Sequence, residues 1–179
     1  FLSLILLVVI SIWVIFRLIT STTITTLFIS ISIITDTVGW LADQGVSTCV
    51  LPVSASGEIA LEQFAGSVVE QTAVVSVMAA NNETGVIADL TQPVDVARRC
   101  GALFHTDATQ AVGRINFDVE DSNVDLASIS AHKIYGPKGV GALYVRRSVR
   151  IDAVIHGGGH ERNMRSGTLN VAGIVGFGV

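Results

Sequence analysis

Several short apolar runs, each closed by polar residues, constrain this chain more than any other feature. Ala73 to Met78 reads as one such run, and Ala102 to Thr106, Val124 to Ile129 and Gly141 to Val145 come after it. Runs of this length and character suit strands buried on both sides of a sheet. Val46 to Val53 is a further short β-branched run. The segments between them keep a different period. Leu61, Phe64, Ala65 and Val68 recur at i, i+3, i+4 and i+7, which is one face of a helix. Pro93 suits a first helical position, Val96, Ala97 and Cys100 share a face, and Gly101 stands where a helix would stop. Strands alternating with helices predict an α/β fold, with a mainly parallel sheet and helices on both faces.

In sheets of that kind, ligands bind beyond the carboxyl ends of the strands. Asn82 follows the run ending at Met78, and Asp107 closes the run ending at Thr106. Ser130, His132 and Lys133 follow Ile129. One edge of one sheet would therefore carry all of them.

Other classes of function lose support. Eleven basic side chains face fifteen acidic ones, for a net charge of −4, and no basic stripe is visible. Nucleic-acid binding has no electrostatic basis here. Cys49 and Cys100 lie far apart and form no CxxC pair, which argues against a disulfide scaffold or a zinc site. Phe1 to Ile34 carries one charge, Arg17, and is otherwise almost wholly apolar, Ser or Thr. Its first sixteen residues fall short of the ~20 needed to span a bilayer. Leu18 to Ile34 is rich in Thr, Ser and Ile and fits strands better than a helix. Three readings of 1–34 stay open: a membrane anchor, a leader-like segment, or sequence foreign to the rest. We expect a division into 1–34 and 35–179, and expect both ends, Phe1 and Val179, to be cut ends.

An acid at one strand end and a lysine at the next suit pyridoxal phosphate (PLP). That cofactor needs an amine for a Schiff base and an acid at the pyridine nitrogen, together with a donor near the ring oxygen and a polar cradle for phosphate. Lys133 and Asp107 can supply the first two. Gln110 lies one helical turn past Asp107 and can face the same ligand. Ser130 and His132, read as an extended segment, would project together and could donate to phosphate. Plainer roles exist for each: Asp107 as a helix cap, Lys133 in a surface turn before Tyr135. Gly136-Pro137-Lys138-Gly139 does not match the nucleotide phosphate loop. In His156-Gly157-Gly158-Gly159-His160 the glycines forbid a stable helix, so no metal site is expected. A Gly-rich loop presenting His160, Arg162 and Arg165 to an anion is the functional alternative to an ordinary surface loop.

Four ordered motifs carry a resemblance. They are Asn81-Asn82-Glu83-Thr84-Gly85, His105-Thr106-Asp107-Ala108-Thr109-Gln110, Ser130-Ala131-His132-Lys133-Ile134-Tyr135-Gly136-Pro137-Lys138-Gly139, and the stretch from His156 through Arg165 to Thr168. From about Val38 to Val179 the chain resembles the cysteine desulfurases, fold-type I PLP enzymes grouped with the class V aminotransferases. The resemblance implies part of a PLP-transferase large domain. It implies Lys133 as the Schiff-base lysine, Asp107 as the partner of the pyridinium nitrogen and Gln110 at the ring oxygen. It places Ser130 and His132 on the phosphate, Asn82 near cofactor and substrate carboxylate, and Thr168 on the phosphate of a neighbouring subunit in a homodimer. The implied reaction converts L-cysteine to L-alanine and passes sulfur to an enzyme cysteine as a persulfide. The implied recipients are iron–sulfur scaffolds, serving iron–sulfur cluster assembly, and tRNA thiolation pathways. A cytoplasmic setting fits.

The chain departs from that pattern in three places. The early Ala-Thr-Glu phosphate segment is missing, no histidine precedes His105 to stack on the ring, and the chain stops before the loop of the nucleophilic cysteine. On these grounds the piece is expected to be inactive alone. Two alternatives are a selenocysteine lyase or other class V relative, and a non-catalytic, membrane-associated remnant.

Overall fold

The computed structural model describes residues 25–29 and 33–179. Among them, six strands form one sheet: β1 (Thr25–Ile29), β2 (Ser47–Val50), β3 (Thr72–Met78), β4 (Leu103–Asp107), β5 (Leu126–Ser130) and β6 (Gly141–Val145). The helices are α1 (Ile33–Asp43), α2 (Leu61–Ser67), α3 (Thr91–Arg99) and α4 (Val171–Gly178). The spatial order is β2-β1-β3-β4-β5-β6, with every neighbour parallel except the β5–β6 pair.

The α/β expectation agrees with this architecture. Going from β1 to β2 the chain moves one way across the sheet, and from β2 to β5 it moves the other. Right-handed crossovers then put α1 on one face and α2 and α3 on the opposite one. The core divides accordingly. Phe64, Val94 and Ala97 from the helices pack with Val75, Val77, Phe104 and Ala127 of the strands. Val74 and Leu126 form a smaller cluster with Leu103, Val145 and Ile151. Because side chains alternate along a strand, the second cluster shares its face with Ser76, His105, Asp107, Ser128 and Ser130.

Several elements differ from the sequence expectation. Helix α3 starts at Thr91, two residues before Pro93. Asp89 is the reason: its Oδ1 accepts the Thr91 N–H at 2.9 Å and begins the turn early. That bond also holds the Asp89 carboxyl below its usual value. At the other end, Gly101 at φ +75° closes the helix as a Schellman motif. The Gly101 N–H donates to Arg98 O at 3.0 Å and the Ala102 N–H to Ala97 O at 2.9 Å. On α2 only Phe64 of the expected face is buried within the helix. Val68 is buried just beyond it, and Leu61 and Ala65 are exposed. Within the apolar N-terminal stretch, Thr25–Ile29 is an inner strand between β2 and β3. Ile33 and Ile34 open a helix where the composition favours a strand. The run from Phe1 to Phe16 lies outside the described residues. Among the described residues no helix is long and apolar enough to cross a membrane.

An ionic clamp secures the amino-terminal ends of β4 and β5. Buried Asp125 accepts the Phe104 N–H through Oδ2 at 2.9 Å and pairs through Oδ1 with Arg146 Nε at 3.4 Å. Arg146 also donates to Val124 O through Nε and Nη2, at 3.1 and 2.9 Å. Asp125→Ala would leave the buried Phe104 N–H without its acceptor and take the nearer carboxylate from Arg146. It is expected to cost about 2–4 kcal/mol, measured as a lower urea midpoint. Arg98→Ala, which loses exposed bonds to Asn123 O and Oδ1, is expected to shift the midpoint far less.

Candidate active site

The β4–β5 register sets the geometry. Asp107, the last residue of β4, lies opposite Ser128, so β5 runs on to Ser130 beyond it. The chain then makes a 3-10 turn over Ala131–Ile134. This corrects the extended reading of Ser130 to Lys133. Tyr135 and Gly136 force the turn. Tyr135 takes a left-handed conformation at φ +67°, and the Gly136 N–H reaches back to Ala131 O at 2.9 Å. A Cβ on Gly136 would lie 3.0 Å from that same oxygen, so no side chain fits there without movement. Ser130 and His132 still meet, through the turn: Ser130 Oγ lies 2.8 Å from His132 Nδ1. Arg114 Nη2 donates to the Lys133 carbonyl at 2.9 Å and pins the backbone of that lysine.

Positive charge gathers at this turn. Burial, then Lys133, then Lys138 hold the His132 imidazole below its usual pKa. Among the described residues no carboxylate pairs with Lys133 or Lys138. Asp107 is half-buried, and its Oδ1 accepts the Thr109 N–H at 2.9 Å. The plainer capping role is therefore present, carried by one oxygen. Half-buried Gln110 comes next in the same turn, which the Ala108 N–H anchors to Ser128 O at 3.0 Å.

The remaining expected residues are dispersed. Asn82 is exposed in the loop after β3, while its neighbour Asn81 holds that loop through Oδ1, accepting the N–H groups of Glu83 and Thr84 at 2.9 Å each. Thr168 is exposed on the approach to α4. In the Gly-rich loop, Glu161, Arg162 and Asn163 all have positive φ, and His160 Nδ1 accepts the Gly167 N–H at 3.3 Å. Arg162 and Arg165 pair with no carboxylate among the described residues. A cavity of about 230 Å³ opens beside β3, lined by Leu51, Val53, Ile59, Met78, Asn81 and Thr84 among others. None of the expected site residues lines it.

Sequence reasoning gives His105 no role of its own. Its ring is buried and held at both nitrogens: Nδ1 lies 2.7 Å from Ser76 Oγ, and Nε2 lies 2.8 Å from Ser128 Oγ. Burial lowers its pKa to about 4, against a smaller opposing pull from Asp107. A signal for it does exist in the sequence, because β3, β4 and β5 each carry a polar residue two places before their last one.

The aminotransferase class-V family model matches residues 36–179, most of the chain. This chain belongs to the aminotransferase class-V family. The match begins close to Val38, where the resemblance starts. A cysteine desulfurase IscS of Anaeromyxobacter sp. (strain Fw109-5) is 54% identical over 145 residues, covering 80% of this chain and 36% of that protein. A cysteine desulfurase IscS of Rickettsia akari is 50% identical over 146 residues, with the same coverage. The class-V chain thus spans about a third of the length of the curated relatives it matches. A solved NifS-like protein superposes with a TM-score of 0.91 at 38% identity, covering 97% of this chain and 48% of that one. The structure titled SspA in complex with cysteine gives 0.84 at 35% identity, covering 94% and 50%.

A histidine kept neutral by burial makes folding sensitive to acid. Between pH 6.5 and about 4 the unfolded chain binds a proton at residue 105 that the folded chain excludes. Stability therefore rises with pH across that window and falls on acidification. His105→Asn is expected to flatten this limb relative to the parent, checked by urea midpoints at pH 4 to 7.

Proposed function

We propose that these residues form the cofactor edge of a PLP-dependent cysteine desulfurase. The observation that carries the reading is the uncompensated cluster of His132, Lys133 and Lys138 one strand away from half-buried Asp107. The donor set fits the cofactor: cations and hydroxyls suit a phosphate, an amine suits a carbonyl, and a carboxylate suits a cationic ring nitrogen. When bound, the group supplies an electron sink for bonds broken at the substrate's α-carbon.

The chain's own residues would then divide the work. Lys133 would hold the cofactor covalently through its amine. Asp107 would keep a proton on the ring nitrogen through the oxygen opposite the one that caps Thr109. Gln110 would donate to the ring oxygen, and Ser130 and His132 would bind the phosphate. Their mutual contact leaves the His132 Nε2 edge available for that bond. Asn82 would approach the substrate carboxylate, and Thr168 would serve the phosphate of a second subunit in a homodimer. The reaction would take L-cysteine to L-alanine, handing sulfur to an enzyme cysteine and on to an iron–sulfur scaffold or other acceptor in the cytoplasm. The names of the relatives support this assignment. The boundary near residue 35 is read as one of family likeness. The sheet itself draws β1 from ahead of it.

In the holoprotein, Lys133→Ala is expected to abolish the visible absorbance of bound cofactor. Asp107→Ala is expected to weaken both cofactor retention and turnover, by at least about tenfold in kcat, the usual scale for a lost charged contact. Unchanged turnover in Asp107→Ala would remove the electron-sink assignment.

A further inference from the structure

Three strands carry a slanted polar row, each member two residues before the last of its own strand. Ser76 of β3 pairs in register with His105 of β4, and Ser128 of β5 stands opposite Asp107. The His105 ring bridges the two hydroxyls at 2.7 and 2.8 Å. These side chains are buried, with relative exposures of 1% for Ser76, 3% for His105 and 7% for Ser128. Residues two apart on a strand share a face, so His105 lies directly beneath Asp107, and Ser128 directly beneath Ser130. Water has little access to this row.

We propose that His105 is a positioning residue for Asp107, acting as an uncharged crosslink among β3, β4 and β5. The inference rests on the cofactor reading of Asp107. The geometry has two effects. The crosslink fixes how far β4 projects past its neighbours, and with it the height of the Asp107 carboxylate. The two hydroxyls also suit a neutral ring, with one nitrogen accepting and the other donating. A charged imidazolium in that place would pair with Asp107 and compete with any cationic ring nitrogen above it. Burial favours the neutral form for the same physical reason. No other ionisable side chain takes part in the row. The charged groups nearest the edge, Lys133 and Lys138, lie beyond it on the turn after β5.

The test is a mutant cycle on cofactor affinity in the holoprotein, read by titrating PLP into apoprotein, with thermal midpoints measured alongside. His105→Phe keeps the ring volume and removes both bonds. Ser76→Ala and Ser128→Ala each remove one bond at smaller risk to folding. Each is expected to weaken PLP binding, His105→Phe by about tenfold, as for a lost buried hydrogen bond. In an Asp107→Ala background the same substitutions are expected to add nothing further. Equal losses in both backgrounds, or no loss in any of the three variants, would overturn the positioning role. If Asp107→Ala alone leaves PLP affinity unchanged, the cofactor reading of Asp107 fails, and this inference falls with it.

Discussion

The parallel ladder between β4 and β5 is the constraint on which the site depends. Hydrogen bonding in register puts Asp107 opposite Ser128 and leaves Ser130 one step further out. A slip of one residue would turn His105 and Asp107 to the opposite face, among Val77 and Ala127. That exchange would bury a carboxylate in the larger apolar core. The hydrophobic pattern of β4 thus fixes the direction of its acid as firmly as any contact of the acid itself.

The same ladder explains why polar residues are tolerated in strands otherwise built for burial. Ser76, His105 and Ser128 satisfy one another across three strands. Only the Thr106 hydroxyl, on the other face, is buried without a partner among the described residues. At the opposite end of the sheet, Asp125 and Arg146 satisfy a backbone N–H and a backbone carbonyl that the ladder leaves over. Both ends of β4 and β5 are held by side chains, and the middle by packing.

Much of this is legible in the sequence. The apolar runs mark β3, β4, β5 and β6 to within one or two residues, although β6 is only half-buried where the other three are largely buried. Strand β1 is not legible. Leu18 to Ile34 is rich in Thr, Ser and Ile throughout, and nothing local tells which five residues find partners as distant in sequence as Thr72 to Val77. The antiparallel direction of β6 is hidden too, since alternation has the same period in either direction. The turn carrying Lys133 passes for an extended segment because Ser130 and His132 look alternate. The decisive fact is the close approach of Gly136 to Ala131, which involves no side chain of its own. Asp107, Lys133 and Ser130 are legible as strand-end residues, whereas Asn82 and Thr168 stand on exposed loops that the described contacts leave apart from them.

The reversal of β6 has a mechanical consequence. Ser130 pairs with Gly141, and the Ala131 N–H donates to Val140 O at 3.2 Å. Lys133 therefore rides on a loop stapled at both feet to adjoining strands, where a crossover would leave one foot free. Such an arch resists sideways sway, so the backbone of Lys133 keeps a nearly constant bearing to the strands on either side.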